Sequence, residues 1–334
     1  MKNRLAFVVV SLSFVFLAAT AAAHPHDRIS VERRSFPVRF VDGSHQRIVG
    51  YVYRSHGTRP RNATLLLVHG GTYDHRYWDA PRIDGVDYSY ARYAAAQGYT
   101  VVAIDELGAG ESTAPNGDLT TVASLANAVH QVAEQIRWDR TLSGRCDQLV
   151  YIGHSLGTAT TVYAQGTYHD ADAIVATGWS QADLTLPVSP ESLGALATAP
   201  YFAIPSELRA QLFYYPPNTD PAIIEYDNTH LANLVSRGLI FDAFTFIGDP
   251  VASRAAQVTE PVLVQLGEFD ALFPAPAAAP TEVTQWTSSP DVSFAAVPAA
   301  GHDINFHLDN HVAWHQIDQW LERVLDDRRP GCRW

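Results

Sequence analysis

The chain has 334 residues, of which 47% are hydrophobic and 17% charged, and its formal net charge is −12. This composition predicts a globular protein with a full hydrophobic core, organised as one large domain with an insertion. The acidic excess disfavours binding to nucleic acid, so we expect no such partner. Lys2 is the only lysine, which excludes a lysine nucleophile or Schiff base in a mature chain that lacks it.

Residues 1–23 differ in composition from the rest of the chain. Two basic residues precede an apolar run over residues 5–17, and residues 21–23 form an Ala-x-Ala cleavage site. This pattern is typical of a secretory signal peptide; an uncleaved membrane anchor is the alternative, but the run is short for a span. We expect a mature chain 24–334, secreted to the extracellular space or periplasm without a stable membrane anchor. Loss of the two basic residues changes its net charge from −12 to −14.

The chain contains two cysteines, Cys146 and Cys332. An even count in an oxidising compartment is usually paired, so we predict one disulfide, with two free thiols as the alternative. No cluster of cysteine and histidine has metal-ligand spacing, and we expect neither a metal ion nor a cofactor. Asn62 begins an Asn-Ala-Thr sequon, which is a glycosylation site only if the source is eukaryotic.

The first predicted elements are two strands, residues 36–41 and 47–53, joined by a turn at Asp-Gly-Ser. A continuous apolar run at residues 64–68 follows, as expected of a parallel strand buried on both faces. It ends in the sequence His-Gly-Gly-Thr at residues 69–72. Glycine in such a loop lets the backbone approach a substrate closely.

Predicted helices and strands then alternate along the chain. Between residues 179 and 258 this alternation stops, because eight prolines interrupt an aromatic-rich stretch, which predicts an insertion. The predicted elements on either side are helix 88–97, strand 100–104, helix 119–138, strand 149–152, helix 158–165 and strand 171–176, then strands 262–266 and 292–297 and a closing helix 311–326.

Residues 153–157, with the sequence Gly-His-Ser-Leu-Gly, lie between a predicted strand and a predicted helix. A serine at such a sharp turn has a strained backbone and an exposed hydroxyl, and the flanking glycines make the turn possible. The alternative is an ordinary buried turn serine. We predict that Ser155 is a nucleophile.

Two later loops, one with an acid and one with a histidine, follow the serine turn along the chain in the order found in a known family. The strand at residues 262–266 runs into Gly-Glu-Phe-Asp, and the strand at residues 292–297 runs into Gly-His. With the serine turn, these motifs resemble the α/β-hydrolase family over nearly the whole mature chain. The resemblance implies an α/β fold with a mostly parallel central sheet, helices on both faces and a helical cap. That cap would be the insertion at about residues 179–258, after the sixth strand.

The family order also implies the roles of particular residues. Ser155 is the nucleophile, His302 the base and Asp270 the acid. The backbone N–H groups of Gly71 and Leu156 form the oxyanion hole, although the loop lacks a third glycine and leaves Thr72 as the other candidate donor.

Other acids and histidines lie near these positions in sequence. Glu268 and Asp303 compete with Asp270 for the acid, but lack its spacing from glycine and to the following proline. The neighbouring histidines are interpreted as lying on a solvated loop or helix face. His69 is interpreted as a support of the oxyanion loop, residues 69–72. The three neighbours are His307, His311 and His315.

The implied activity is hydrolysis of carboxylic esters of small apolar substrates through an acyl-enzyme intermediate. A lactone is a cyclic ester and needs only a different pocket, so lactonase is the first alternative, followed by cap-bearing peptidase and cofactor-free haloperoxidase. A non-catalytic ligand-binding protein of the same fold is a further alternative, but such proteins usually lack an intact triad.

Overall fold

The computed structural model describes residues 28–143, 148–185 and 189–325. The predicted signal peptide and the predicted disulfide between Cys146 and Cys332 lie outside the described residues. No helix of the described ranges is long and apolar enough to span a membrane. The strands are β1 (Ile29–Arg39), β2 (His45–Ser55), β3 (Ala63–Val68), β4 (Ala80–Ile83), β5 (Val86–Tyr88), β6 (Thr100–Asp105), β7 (Gln148–His154), β8 (Ala173–Thr177), β9 (Tyr201–Phe202), β10 (Val235–Ser236), β11 (Val262–Gly267) and β12 (Val292–Val297). The α-helices are α1 (Tyr90–Ala96), α2 (Val122–Trp138), α3 (Leu156–Tyr168), α4 (Pro190–Leu196), α5 (Ser206–Phe213), α6 (Pro221–Tyr226), α7 (Arg237–Phe244), α8 (Ala275–Glu282) and α9 (His311–Val324).

The central sheet of the described structure has eight strands in the order β1-β2-β6-β3-β7-β8-β11-β12. β2 pairs antiparallel with both β1 and β6, and the strands from β6 to β12 pair in parallel. The small hairpin of β4 and β5 was not expected from the sequence. The predicted fold class is confirmed: the sheet is mostly parallel, and helices cover both of its faces.

Burial on both faces explains the continuous apolar runs of the central strands. Leu66 of β3 packs in a hydrophobic cluster with α2 and α3, whereas its neighbours Leu65 and Leu67 pack on the other face with α1 and α9. All six residues of β3 are buried, as are all seven of β7. Alternate residues of one strand therefore serve two hydrophobic layers.

The register of the parallel strands brings their following loops to one edge of the sheet. Val68 at the end of β3 pairs with Gly153 of β7, and Gly267 of β11 pairs with Val297 of β12. The loops after β3, β7, β11 and β12 therefore lie at the carboxyl edge, where open α/β sheets bind their ligands.

The segment between β8 and β11 forms the cap of the predicted fold class. It contains α4 to α7, the two-stranded pair of β9 and β10, and a π-helical turn at Asp227–Leu231. Two of the prolines that interrupt the sequence pattern begin helices: Pro190 follows the N-cap Ser189, and Pro221 follows the N-cap Asp220. Proline is tolerated there because the first helical N–H has no intrahelical partner.

Gly157, in the first turn of α3, has no room for a side chain. A Cβ atom at this position would lie 2.2 Å from the carbonyl oxygen of His69 and 2.5 Å from that of Val68. Gly157→Ala should therefore destabilise the protein by about 1–3 kcal/mol, which urea unfolding would measure. Gly194→Ala is the matched control, because Gly194 lies in α4 with open space around its Cβ position, and this change should cost nothing or stabilise. Equal stability of the two variants would contradict this account of the turn.

Candidate active site

Ser155 lies at the turn between β7 and α3 with φ +52° and ψ −123°. This conformation is strained for a residue with a side chain. The turn is held by the hydrogen bond from Ser155 N–H to the Thr177 carbonyl at 2.9 Å and by close packing of Gly153, whose Cβ would lie 2.6 Å from Thr158 Cα. Together these contacts present the Ser155 hydroxyl at the carboxyl edge of the sheet.

Three side chains from three loops form one hydrogen-bonded chain at this edge. Ser155 Oγ lies 2.9 Å from His302 Nε2, and His302 Nδ1 lies 2.9 Å from Asp270 Oδ2. Asp270 and His302 are both buried, and they follow β11 and β12 respectively. The structure thus brings together the serine, histidine and aspartate that the sequence singled out.

The competing acids are engaged elsewhere. Glu268 accepts a hydrogen bond from the Ala299 N–H at 3.0 Å, and Asp303 contacts His154 and Tyr73. The second oxygen of the Asp270 carboxylate accepts two backbone N–H groups, those of residues 272 and 273, at 2.8 and 3.0 Å. These bonds fix its orientation toward the imidazole.

The surroundings of His302 favour its protonated form. Burial opposes protonation, but attraction to Asp270 and the hydrogen bond between them outweigh it, so the pKa of His302 lies above the ordinary imidazole value. His154, 5.0 Å away between ring centroids, is affected in the opposite direction. Burial, together with repulsion from His302, lowers the pKa of His154 well below its ordinary value.

His307 differs from the sequence interpretation, which placed it on a solvated face. It is 1% exposed, and its Nε2 accepts the backbone N–H groups of Gly301 and Tyr215 at 2.8 and 3.1 Å. His307 therefore fixes the loop that carries the triad histidine, a role that spacing along the chain did not indicate. His311 and His315 are exposed, as expected.

The loop after β3 lies against the serine turn. A Cβ atom on Gly71 would lie 2.6 Å from Leu156 Cδ1, so the two backbones approach closely because position 71 is glycine. Within the described residues, the N–H groups of Gly71, Thr72 and Leu156 have no hydrogen-bond acceptor. His69 supports this loop: its ring bonds the Gly70 carbonyl at 2.8 Å and accepts the N–H of Glu106, directly after β6, at 3.0 Å.

An apolar cavity of about 80 Å³ opens beside Ser155. Among the described residues, no ionisable side chain lines it, and most of its wall comes from the cap. Of the cap aromatics, whose contribution the sequence left open, Trp179, Phe213 and Phe244 line it. The other lining residues are Gly71, Thr72, Leu156, Leu184, Leu193, Ile204, Leu208, Leu212, Val235, Ile240, Leu272 and Phe273.

A buried polar network lies behind the triad and was missed in the sequence. Arg209 of α5 pairs with Asp227 at 2.6 Å, and Asp227 also accepts the hydroxyls of Tyr73 and Tyr214. The Tyr73 hydroxyl has a single proton, so it donates to Asp227 or to Asp303 at any one time, and its contact with Asp303 links the network to the residue after the triad histidine. Residues 209 and 227 carry no motif, so their pairing depends on tertiary structure alone.

Two groups of described side chains have the composition of metal ligands. His302 is already bonded on both nitrogens, and Asp74 is paired with Arg76 at 2.6 Å, so we assign no metal to either group. Their ligand atoms lie within 4.8 Å of one another: His154 with His302 and Asp303, and Asp74 with His75 and Asp105.

Comparison with known proteins identifies the class to which this fold and site belong. The model of the alpha/beta hydrolase family matches residues 65–315, and the chain therefore belongs to this family. No curated protein matches the sequence significantly.

Among solved structures, the chain is similar in fold to a thermophilic esterase from Thermogutta terrifontis, with TM-score 0.62, 18% identity, and coverage of 88% of this chain and 99% of that one. It is similar to a Paleococcus ferrophilus monoacylglycerol lipase, with TM-score 0.62, 19% identity, and coverage of 89% and 100%. It is also similar to a soluble variant of Saccharomyces cerevisiae monoglyceride lipase, with TM-score 0.63, 17% identity, and coverage of 88% and 96%. Identities at this level show a shared fold.

Glu106, next to the loop after β3, gives the stability of the protein a specific pH dependence. It is 3% exposed, and burial raises its pKa to about 8, against 4.5 for the free side chain. The folded protein therefore holds a proton on Glu106 that the unfolded chain releases near pH 4.5. This contribution to stability is fully present below pH 4.5 and is lost as the pH rises toward 8.

Glu106→Gln removes this titration. The free energy of unfolding of the variant, relative to that of the unsubstituted protein, should therefore rise by up to a few kcal/mol as the pH is raised from 5 to 8. Urea unfolding at both pH values measures the difference. A difference between the two proteins that does not change with pH would show that Glu106 is ionised in the folded protein.

Proposed function

We propose that the protein is a secreted serine hydrolase that cleaves carboxylic esters of small apolar substrates. The observation that carries this proposal is the hydrogen-bonded chain from Asp270 through His302 to Ser155, which ends beside an uncharged cavity. Secretion rests on the signal peptide expected at residues 1–23.

In the proposed mechanism, Ser155 Oγ attacks the ester carbonyl carbon while His302 Nε2 takes the hydroxyl proton. Asp270 holds the imidazole with Nδ1–H toward its carboxylate and stabilises the imidazolium. Collapse of the tetrahedral intermediate breaks the bond to the alcohol oxygen, which receives the proton from His302. Water, deprotonated by His302, then attacks the acyl carbon, and collapse of the second tetrahedral intermediate breaks the bond to Ser155 Oγ, which takes the proton back from His302 as the acid leaves.

The negative oxygen of each tetrahedral intermediate needs fixed donors. The N–H of Leu156 is the first donor, because it follows the nucleophile at the positive end of α3. The N–H of Gly71 is the proposed second donor, since Gly71 lies against Leu156 and its N–H has no acceptor in the part of the chain that the structure describes. Both donors are backbone groups, so their direction depends on how the two loops are held.

The cavity supports apolar, uncharged esters as substrates. Burying an unpaired charge among its lining residues would be costly, which disfavours anionic acyl groups and charged peptide termini. The net charge expected for the mature protein, −14, also opposes the approach of anions. The esterase and monoglyceride lipases of similar fold agree with this class. Lactones share the same chemistry and belong in the same assay.

The first test of the proposal is to replace the residues of the triad one at a time and measure the loss of esterase activity. Ser155→Ala and His302→Ala should each lower kcat on p-nitrophenyl butyrate by at least about 1,000-fold, because the two groups act as a unit. Asp270→Asn should cost less and should also move the acidic limb of the pH profile to lower pH, since Asp270 raises the pKa of His302. Undiminished activity of Ser155→Ala would rule out the proposal, and a silent Asp270→Asn would require another acid.

The size of the cavity leads to a prediction about acyl chains. It is smaller than the cavity of about 150 Å³ that admits benzene in another protein, so kcat/KM should be highest for acyl chains of about four to six carbons. Ile240→Ala, in the cavity wall, should move this optimum to longer chains. Phe241→Ala is the control, because Phe241 is 38% exposed and does not line the cavity. A series of p-nitrophenyl esters measures both; an optimum that shifts equally in both variants would contradict the assignment.

A further inference from the structure

The cap carries a fully buried ion pair whose guanidinium reaches the oxyanion loop. Arg209 is 1% exposed and Asp227 is completely buried, and Arg209 Nη2 lies 2.6 and 2.7 Å from the two carboxylate oxygens. The other terminal nitrogen, Arg209 Nη1, donates to Thr72 Oγ1. Thr72 directly follows the proposed oxyanion donor Gly71 and lines the cavity.

Thr72 has an unusual backbone that the cap holds from two sides. Its φ is +67°, in the left-handed region that β-branched residues seldom adopt. Besides the bond from Arg209 to its hydroxyl, its carbonyl accepts the N–H of Asn233 at 2.8 Å. Both donors belong to the cap. Strained residues of this kind persist only when their surroundings fix them, and they cluster at functional sites.

We propose that Arg209, held by Asp227, is a positioning residue that keeps Thr72 and hence the oxyanion loop in its active conformation. The cap thereby controls transition-state stabilisation as well as the shape of the cavity. This inference rests on the proposed function and deepens it, because it names what orients the second oxyanion donor.

Burial and packing show that Arg209 has a fixed position. Its guanidinium lies 4.7 Å from the ring centroid of Tyr73 and 5.1 Å from that of Phe213. Asp227 is fixed in turn by the hydroxyls of Tyr73 and Tyr214, at 3.1 and 2.6 Å. A buried ion pair is often no more stabilising than apolar side chains of the same volume. We therefore attribute the presence of this ion pair to the hydrogen bond that it directs at Thr72, and not to a gain in stability of the fold.

Thr72→Val is the decisive variant, since valine keeps the shape and branching of threonine and loses only the hydroxyl. It should lower kcat by about 10- to 100-fold with little change in KM, because misdirected oxyanion donors weaken the transition state alone. Thr72→Ser keeps the hydroxyl and should recover most of the activity. A boronic acid whose adduct with Ser155 is tetrahedral should bind Thr72→Val more weakly by a similar factor.

A double variant tests the ion pair without leaving an unpaired charge. Arg209→Met with Asp227→Asn removes both charges and keeps an acceptor for the tyrosine hydroxyls, and it should reproduce the loss in kcat. The control is Arg237→Met with Asp118→Asn, which removes an exposed ion pair of the same chemistry, at 2.7 Å, between the cap and the loop before α2. The control should keep kcat within about twofold, in line with the small contribution of exposed pairs.

Active sites are counted in every variant with a p-nitrophenyl alkylphosphonate, which releases one p-nitrophenolate for each reactive serine, and rates are expressed per titrated site. No release from the unsubstituted protein would refute the proposed function itself. Normal release with kcat of Thr72→Val within twofold of the unsubstituted value would refute the inference alone. A lower melting temperature with unchanged kcat and boronate affinity would show that the pair is only structural, and would likewise refute it.

Discussion

The rest of the site depends on the sharp turn at Ser155. A serine with φ +52° can persist only where the chain on both sides is held close to its neighbours. Gly153 allows β7 to approach the start of α3, and Gly157 allows α3 to approach the end of β3. The same contact that permits the turn therefore brings the loop after β3, the proposed oxyanion loop, against Ser155. The strained backbone of Ser155 and the closeness of the loops after β3 and β7 thus both follow from the packing at Gly153 and Gly157.

The cap combines two kinds of contact with this edge of the sheet. Its apolar side chains enclose a cavity that no charged group of the described residues lines, in agreement with the uncharged substrate proposed for it. Some of its polar contacts reach the oxyanion and histidine loops, through Arg209 and Asn233 on Thr72 and through the Tyr215 N–H on His307. Others reach the loop before α2, as in the pair of Arg237 with Asp118. Apolar packing alone would fix the position of the cap only loosely, whereas directional hydrogen bonds specify one arrangement of the loops beneath it.

Much of the fold and of the candidate site followed from the sequence because the deciding signals are local. Continuous apolar runs identified the buried strands, and the motifs around Ser155, Asp270 and His302 lie directly after such strands. The solvated interpretation of His307 was wrong, and the pair of Arg209 with Asp227 was missed. In both cases the partners are distant along the chain: His307 bonds a cap N–H 92 residues away, and Arg209 reaches a loop 137 residues away. Hydropathy and spacing carry no information on such contacts.

The electrostatics of His302 follow from two carboxylates of different function. Asp270 bonds the imidazole directly, and this contact overcomes the effect of burial and raises the pKa of His302. Asp303 is equally buried, and burial raises its own pKa to about 6 despite the charges of His302 and Arg209 nearby. Asp303 bonds His154 and Tyr73, so it ties the residue before the nucleophile to the oxyanion loop. Asp270 contributes most to the raised pKa of His302 and Asp303 contributes less, while Asp303 also links the two backbone segments next to Ser155 through His154 and Tyr73.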